Sequence, residues 1–505
     1  MRAAVLLCAT LCGAACGPAP ERPNVLLVTI DTWRADRLSA AGYPREVTPH
    51  LDRLAREGLR FTSVTAPRGK TTPSIATLMT GLYPHEHGAR DLLVPLDPAR
   101  PLLSERLSAA GYATAAIVGN FVLLERFSGL ARGFDSWTED LPDELGVPPE
   151  NVPQRTARSL VDGALAALGL GPPAADAGPR GSFRRAGAPW FLWLHAMDPH
   201  GIYDAPAEHR VFEREEPEWI PPAPPHDPRA IHRRWIAEYN VPADARDAHG
   251  RIDAARVRDR YDAEVRYVDH ELGRLFDALR AAGELERTLV VVTSDHGESL
   301  GEQDYWFEHG RNASEASVRV PLVVHWPATL PGRPAPGVRG VDTSLADLAP
   351  TILDLLGLPP LAPDGPARGT SLARAWASGS EPARPVYSEK VDREALDGAV
   401  QAKAVRIGGW KWIRRFAHVP GANGERRLAS LSDELYDTAA DPYESHNLAP
   451  APPPRAPVDR LQAELLRFTA LDARFPEIGA ILQANRDALE AGDAEVVRVL
   501  KALGY

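Results

Sequence analysis

Apolar residues fall along this chain in two rhythms. Runs rich in Leu and β-branched residues, Asn24 to Ile30, Thr114 to Val118, Trp190 to Met197, Leu289 to Thr293 and Val320 to His325, read as strands covered on both faces. Between them the apolar positions take helical spacing. Thr48 to Gly58 is a capped helix with Leu51, Leu54 and Ala55 on one side, and Leu103 to Gly111 and Leu345 to Leu356 are further helices. Ala254 to Ala282 carries Val257, Tyr261, Val265, Val268, Leu272, Leu275 and Leu279, a long amphipathic helix. This alternation predicts an α/β fold, with a mostly parallel central sheet and helices on both faces. From about Val386 the pattern changes. VYSEK, AVRIGGWKWIRRF and ELYDTAADP read as strands and turns of a smaller antiparallel sheet, and Val458 to Tyr505 as a charged helical tail.

The organisation that follows is a leader and tether over 1–22, a catalytic domain over 23–385 and a C-terminal subdomain with the tail over 386–505. Gly169 to Ala188 is rich in Gly, Pro and Ala without periodicity and reads as a surface connection. Tyr203 to Gly250 is a Pro-rich, charged excursion directly after a strand. It is either a lid or substrate wall, or an insertion of no consequence, because such insertions cost little.

Composition narrows the setting. A formal charge of −11 over 505 residues gives no basic footprint, which argues against nucleic acid as a partner. The body holds no apolar run long enough for a membrane helix. The leader, MRAAVLLCATLCGAACGPAPERPN, has a basic start, a short apolar core and small residues before Cys16, the marks of a secretory signal. Cleavage before Cys16, with a Pro-rich tether behind it, predicts a bacterial lipoprotein in the periplasm or at the cell surface, touching the membrane only through that anchor. Gly13 departs from the larger aliphatic residue usual there, and a plain signal peptide cut nearby is the other reading. All three cysteines, Cys8, Cys12 and Cys16, lie in this leader. The body is therefore without disulfides, thiolate metal sites or a cysteine nucleophile.

The chemistry gathers around Arg68 to Gly88, RGKTTPSIATLMTGLYPHEHG. Pro73 suits a first helical position, which makes Thr72 the expected cap and leaves Thr71 beside the positive end of a short helix. That hydroxyl is a candidate nucleophile, although threonine is also an ordinary cap. Elsewhere one apolar run ends in Asp31, another in Asp295-His296, and a third is followed by Asp198-Pro199-His200. Acids and imidazoles at the carboxyl ends of buried strands are how an open α/β sheet assembles a site.

Taken in order, PNVLLVTIDTWRAD, TTPSIATLMTGLYPHEHG, FLWLHAMDPH, YDAEVRYVD, VVVTSDHGESLGE, EHG, RVPLVVHWP and ELYDTAADPYESHNLA resemble the sulfatase family of the alkaline phosphatase superfamily, from about Pro23 to about Leu448. Asp31, Asp295 and His296 offer an oxygen and nitrogen set suited to a divalent metal, with Thr71 as fourth ligand, its hydroxyl acidified and so nucleophilic at neutral pH. Singly, Asp31 also reads as a strand-end cap and Asp295-His296-Gly297 as a turn. The resemblance places His200 and His309 on the substrate side. In phosphoethanolamine transferases and lipoteichoic acid synthases, histidines at similar motifs bind the headgroup or a second metal. Asp198 is expected to assist His200. Arg68, Lys70, His85 and His87 flank Thr71, where a cation would stabilise charge on a transferring oxyanion; Lys70 and His87 are taken as substrate contacts. Arg34, Asp36, Glu298 and Glu302 read chiefly as structural pairs.

The chain departs from the usual sulfatase pattern. Those enzymes oxidise a cysteine or serine to formylglycine, followed by Pro, Ser and Arg. Here Thr71 stands at that position, Ile75 at the arginine, Thr32 at the second of the paired aspartates, and His296 where many have asparagine. Threonine cannot give the aldehyde, so no formylglycine is expected. The departures lean toward the metal-dependent phosphotransferases and phosphodiesterases, with in-line attack by Thr71, a covalent phospho-threonine and transfer to water or an acceptor alcohol. The transferases of similar motif usually carry several membrane spans, which tilts the reading to a hydrolase. The expected substrate is a small anionic ester or a glycan or lipid headgroup. The expected cofactor is zinc or manganese, with calcium, the metal of true sulfatases, as the third option. A true sulfuric ester hydrolase and a silent anion-binding surface protein are the alternatives.

Overall fold

The computed structural model describes residues 22–141, 154–171, 182–212, 216–222, 235–361, 369–391, 401–420 and 426–472. Nearly all of the leader, half of the Gly169 to Ala188 connection and the end of the tail lie outside them. Among the described residues no helix is long and apolar enough to cross a membrane.

Among the described residues, eight strands make the central sheet. They are β1 (Asn24–Ile30), β2 (Leu59–Phe61), β3 (Ala113–Val118), β4 (Ser136–Thr138), β5 (Trp190–Ala196), β6 (Thr288–Ser294), β7 (Leu322–His325) and β8 (Gly337–Arg339). Their order is β8-β2-β7-β6-β1-β5-β3-β4, and only β7 runs against its neighbours. β1, β5 and β6 are buried along their whole lengths, as their unbroken apolar runs require.

Alternate residues of the same strands feed two separate cores, because side chains on a strand point to opposite faces. Leu26, Val28, Leu192, Leu194, Val290 and Val292 pack on one face with α1 (Pro49–Glu57), α4 (Ala157–Leu168) and α5 (Ala254–Ala281). Leu27, Phe191, Trp193 and Val291 pack on the other with α2 (Thr71–Thr80), α3 (Leu103–Ala109) and α6 (Leu348–Leu355).

The C-terminal sheet is antiparallel and four-stranded: β9 (Pro385–Lys390), β10 (Gln401–Ile407), β11 (Trp410–Pro420) and β12 (Arg426–Asp437), with α7 (Val458–Asp472) against it. Buried charges fasten it to the central domain. Glu389 takes Arg90 at 2.8 Å and Lys403, and Lys411 bridges Glu315 at 3.0 Å and Glu444 at 2.8 Å. The backbone of Glu389 also donates to Pro67 O at 2.8 Å, which ties this sheet to the loop that carries Thr71.

Candidate active site

β1 and β6 are parallel neighbours, so Asp31 and Asp295 leave the sheet side by side at its carboxyl edge. Thr32 adopts a left-handed backbone, φ 52°, and its N–H reaches Asp295 Oδ1 at 3.3 Å. α2 delivers Thr71 from a third direction. Helix α2 begins at Thr71, two residues earlier than the proline suggests, and Thr72 does not cap it. The Thr72 hydroxyl instead donates to Val122 O at 3.3 Å, while Pro73 falls in a first turn whose N–H groups need no helical acceptor.

Asp31, Thr71, Asp295 and His296 do come together. Thr71 Oγ1 donates to Asp31 Oδ2 at 3.3 Å and lies 3.4 Å from His296 Nε2. His296 Nε2 is 3.4 Å from Asp295 Oδ2 and 3.7 Å from Asp31 Oδ1. His296 Nδ1 faces the Gly297 carbonyl at 3.0 Å, and a carbonyl only accepts, so the lone pair sits on Nε2 and points into the cluster. Asp31 Oδ1 and Asp295 Oδ2 are buried and have no hydrogen-bond partner among the described residues. Burial and the neighbouring Asp31 push Asp295 up to about 7. Burial opposes the charge of Asp31 too, yet the bond from His195 and the facing imidazoles of His200 and His296 hold it well below the usual range. Two orphaned carboxylate oxygens and a directed imidazole lone pair, all water-excluded, fit a divalent cation.

His200 and His309 lie beside this cluster, with ring centroids 5.1 Å apart and His309 4.5 Å from His296. His200 Nδ1 donates to Gly201 O at 2.8 Å, which frees Nε2. Burial alone would lower His200, but the Asp31 and Glu298 carboxylates outweigh it and hold this imidazole above its ordinary value. Burial and the neighbouring His200 bring His309 down to about 4. Glu298 is not confined to a structural pair. Arg34 binds its backbone carbonyl, while the carboxyl faces His309 Nδ1 at 3.3 Å and accepts from Tyr203 OH at 3.1 Å. Arg34, Asp36 and Glu302 do form the expected ion pairs.

The remaining residues take other partners. Asp198 Oδ2 accepts from Ala157 N at 2.8 Å at the start of α4 and lies against Glu264 rather than beside His200. Lys70 pairs with Asp91 at 2.8 Å. Both ring nitrogens of His87 are used locally, Nε2 on Thr77 Oγ1 at 3.0 Å and Nδ1 accepting from Ala89 N at 3.1 Å. Gly310, in EHG, has φ +85°, and a Cβ there would meet Lys70 Cε at 2.9 Å, so the two loops of the site close tightly only over glycine. From the excursion, Trp235–Ile236 pairs with Tyr305–Trp306, and Tyr239 donates to Glu308, the neighbour of His309. Those contacts set the described part of that segment against the loop that carries His309.

The sulfatase family's sequence profile matches residues 23–358. The chain belongs to the sulfatase family. It is therefore a sulfatase-family hydrolase. Among curated relatives, choline-sulfatase of Rhizobium meliloti is 26% identical over 503 residues, covering 92% of this chain and 89% of that protein. The multifunctional alkaline phosphatase superfamily protein PehA of Trinickia caryophylli is 30% identical, covering 66% and 74%. Among solved structures, a protein in complex with its substrate D-glucosamine-2-N,6-O-disulfate superposes with a TM-score of 0.67 at 21% identity, covering 90% of this chain and 99% of that one. Phosphonate monoester hydrolase of Agrobacterium radiobacter gives 0.62 at 24%, covering 90% and 96%. Both have this fold.

Two side chains in this hydrolase escaped the sequence reading. Asn120, just past β3, donates Nδ2–H to Asp31 Oδ2 at 2.6 Å. His195, inside β5, puts Nε2 3.4 Å from the same oxygen. A period-two signal marks the second: Phe191, Trp193 and His195 occupy one face of the strand, and a histidine there interrupts an otherwise apolar row.

Proposed function

We propose that the chain is an exported, metal-dependent hydrolase of small phosphate or sulfate esters, with Thr71 as its nucleophile. The observation that carries this reading is the Thr71 hydroxyl, within 3.4 Å of both Asp31 and His296 at the head of a buried helix. Asp31, Asp295 and His296, with the Thr71 hydroxyl, would hold the cation. When bound, the cation supplies positive charge that acidifies the hydroxyl and offsets the like charges of the two aspartates. Zinc or manganese suits the mixed nitrogen and oxygen donors.

Thr71 Oγ1, its hydroxyl proton already given up to solvent, attacks the phosphorus or sulfur in line, and the bond to the leaving oxygen breaks. His200, whose imidazole its carboxylate neighbours hold above the ordinary value, donates the Nε2 proton to that oxygen. Water then cleaves the threonine ester, one of its protons passing to neutral His309 while Thr71 leaves as the same oxyanion. The proton passes on from His309 to His200, whose ring centroid is 5.1 Å away, which restores both imidazoles. Thr71 opens α2, and the N-terminal end of a helix favours negative charge on the transferring oxyanion. A threonine at this position and a body without cysteine speak against formylglycine chemistry. The leader's composition supports export and a lipid anchor at Cys16.

The sulfatase relatives favour a second reading, sulfate esters as the preferred substrate. Turnover of matched 4-nitrophenyl phosphate diester and sulfate, with bound metal assayed by elemental analysis, separates the two. Phosphate turnover with bound zinc or manganese is the expected result. Sulfate turnover alone would overturn the phosphoryl preference, and tight anion binding without turnover would overturn the enzymatic reading of this site.

A further inference from the structure

His195 has no part in the steps above, although it is fully buried against the site. Its register partner on β1 is Thr29, whose Oγ1 lies 2.9 Å from His195 Nδ1. A neutral imidazole carries its proton on one nitrogen and accepts on the other, so the neighbours decide which nitrogen faces Asp31. Trp193, two residues back on the same strand face, donates its indole N–H to Thr29 Oγ1 at 3.0 Å. Indole only donates, so one lone pair of Thr29 is occupied. The Thr29 hydroxyl proton then has two acceptors, His195 Nδ1 at 2.9 Å and the Leu194 carbonyl at 3.4 Å. The nearer is Nδ1. With Nδ1 accepting, the proton resides on Nε2 and is donated to Asp31 Oδ2.

Asn120 acts on the same oxygen in the same sense. Its Oδ1 accepts from Val122 N–H at 3.0 Å, which fixes the amide so that Nδ2 faces Asp31. Asp31 Oδ2 thus receives Asn120, His195 and Thr71, while Oδ1 accepts no hydrogen bond among the described residues.

We propose that His195, with its tautomer set by Trp193 and Thr29, is a positioning residue that commits Asp31 Oδ2 to hydrogen bonding and so reserves Oδ1 for the cation. The inference rests on the metal-binding reading of the site. Such outer partners orient a ligand without touching the metal, and their loss typically costs about 10- to 100-fold in metal affinity. The rival arrangement uses His195 itself as a ligand, since one donor atom each of Asp31, His195 and Asp295 lie within 4.8 Å of one another.

The test is zinc and manganese affinity of the full chain, by competition with a chromophoric chelator, for the unaltered protein, His195→Gln and His195→Asn. Glutamine places an amide nitrogen near the Nε2 position and still donates to Asp31. Asparagine places its amide near Nδ1 and reaches only Thr29. His195→Asn is expected to lose about 10- to 100-fold in affinity, and His195→Gln only a few-fold. An equal loss in both variants would make the imidazole a ligand and overturn the proposal, as would unchanged affinity in both. Ring ¹⁵N spectra of histidine-labelled unaltered protein, assigned by the signal missing from His195→Gln, give a readout that needs no metal and no asparagine variant. A proton on Nε2 is expected, and a proton on Nδ1 would overturn the proposal. An unaltered protein that binds neither metal would instead refute the metal-binding reading, while the tautomer would still be measured.

Discussion

Thr71 Oγ1 and His296 Nε2 stand 3.4 Å apart, one brought by the head of α2 and the other by the turn after β6. Because His296 Nδ1 is committed to the Gly297 carbonyl, the nitrogen facing Thr71 is the one with a free lone pair. On the proposed reading, that hydroxyl and imidazole, beside two buried carboxylates, would meet around a cation.

Asp295→Asn is therefore expected to abolish stoichiometric metal binding, measured by elemental analysis after dialysis. In the metal-free protein the same change removes a like charge beside Asp31, so its melting temperature should rise slightly rather than fall.

Chelation should act in the opposite direction on the unaltered protein. A ligand present at about 100 times its dissociation constant stabilises by about 2.7 kcal/mol. Thermal melting with and without EDTA should show a drop of several degrees that Asp295→Asn lacks.

His200→Ala should separate esters by leaving group. Loss of a proton donor is expected to lower kcat by about 100-fold or more on an alkyl ester, whose oxygen needs the proton. On a 4-nitrophenyl ester, whose leaving oxygen is already stable as an anion, the loss should be much smaller. Steady-state kinetics on the two esters checks this.

Asp198, half-buried, and the buried Glu264 form an acid pair. Burial, followed by the influence of Ala157, Glu264 and Glu271, leaves Asp198 at about 6, and burial with the facing Asp198 raises Glu264 well above its ordinary value. Acids raised in the folded state contribute stability that is complete below their unfolded pKa values and fades as pH rises through the folded ones. Glu264→Gln keeps a hydrogen-bond donor at every pH. Melting temperatures should rise by about 2–4 °C at pH 8 and stay unchanged near pH 4.

Glu389→Ala tests the fastening of the C-terminal sheet. It leaves Arg90 and Lys403 without their shared carboxylate, and breaking a buried pair in this way costs about 3–5 kcal/mol. Urea unfolding should show that loss.

The strand-end acids Asp31 and Asp295 were legible because each closes an apolar run, and a run buried on both faces can end only where the sheet does. The sulfatase resemblance and the α/β fold rested on the same runs in order. His195 was hidden for the converse reason: it sits within such a run, and only the alternation along β5 exposes it. Asn120 lies just past the end of β3 with no motif to mark it. The start of α2 was misread because proline is tolerated anywhere in a first turn, not only at its first residue. Asp198 and His200, two apart in sequence, take different partners, since a turn aims successive side chains apart. Lys70 and His87 find local partners that no spacing announces.

The central claim is that the Thr71 oxygen forms and breaks the ester bond. Its most direct measurement is turnover of 4-nitrophenyl phosphate diester by Thr71→Ala and Thr71→Ser at equal metal occupancy. Thr71→Ser should retain activity, and Thr71→Ala should lose at least about 1,000-fold while it folds and keeps its metal. Turnover by Thr71→Ala at the rate of the unaltered protein would contradict the account.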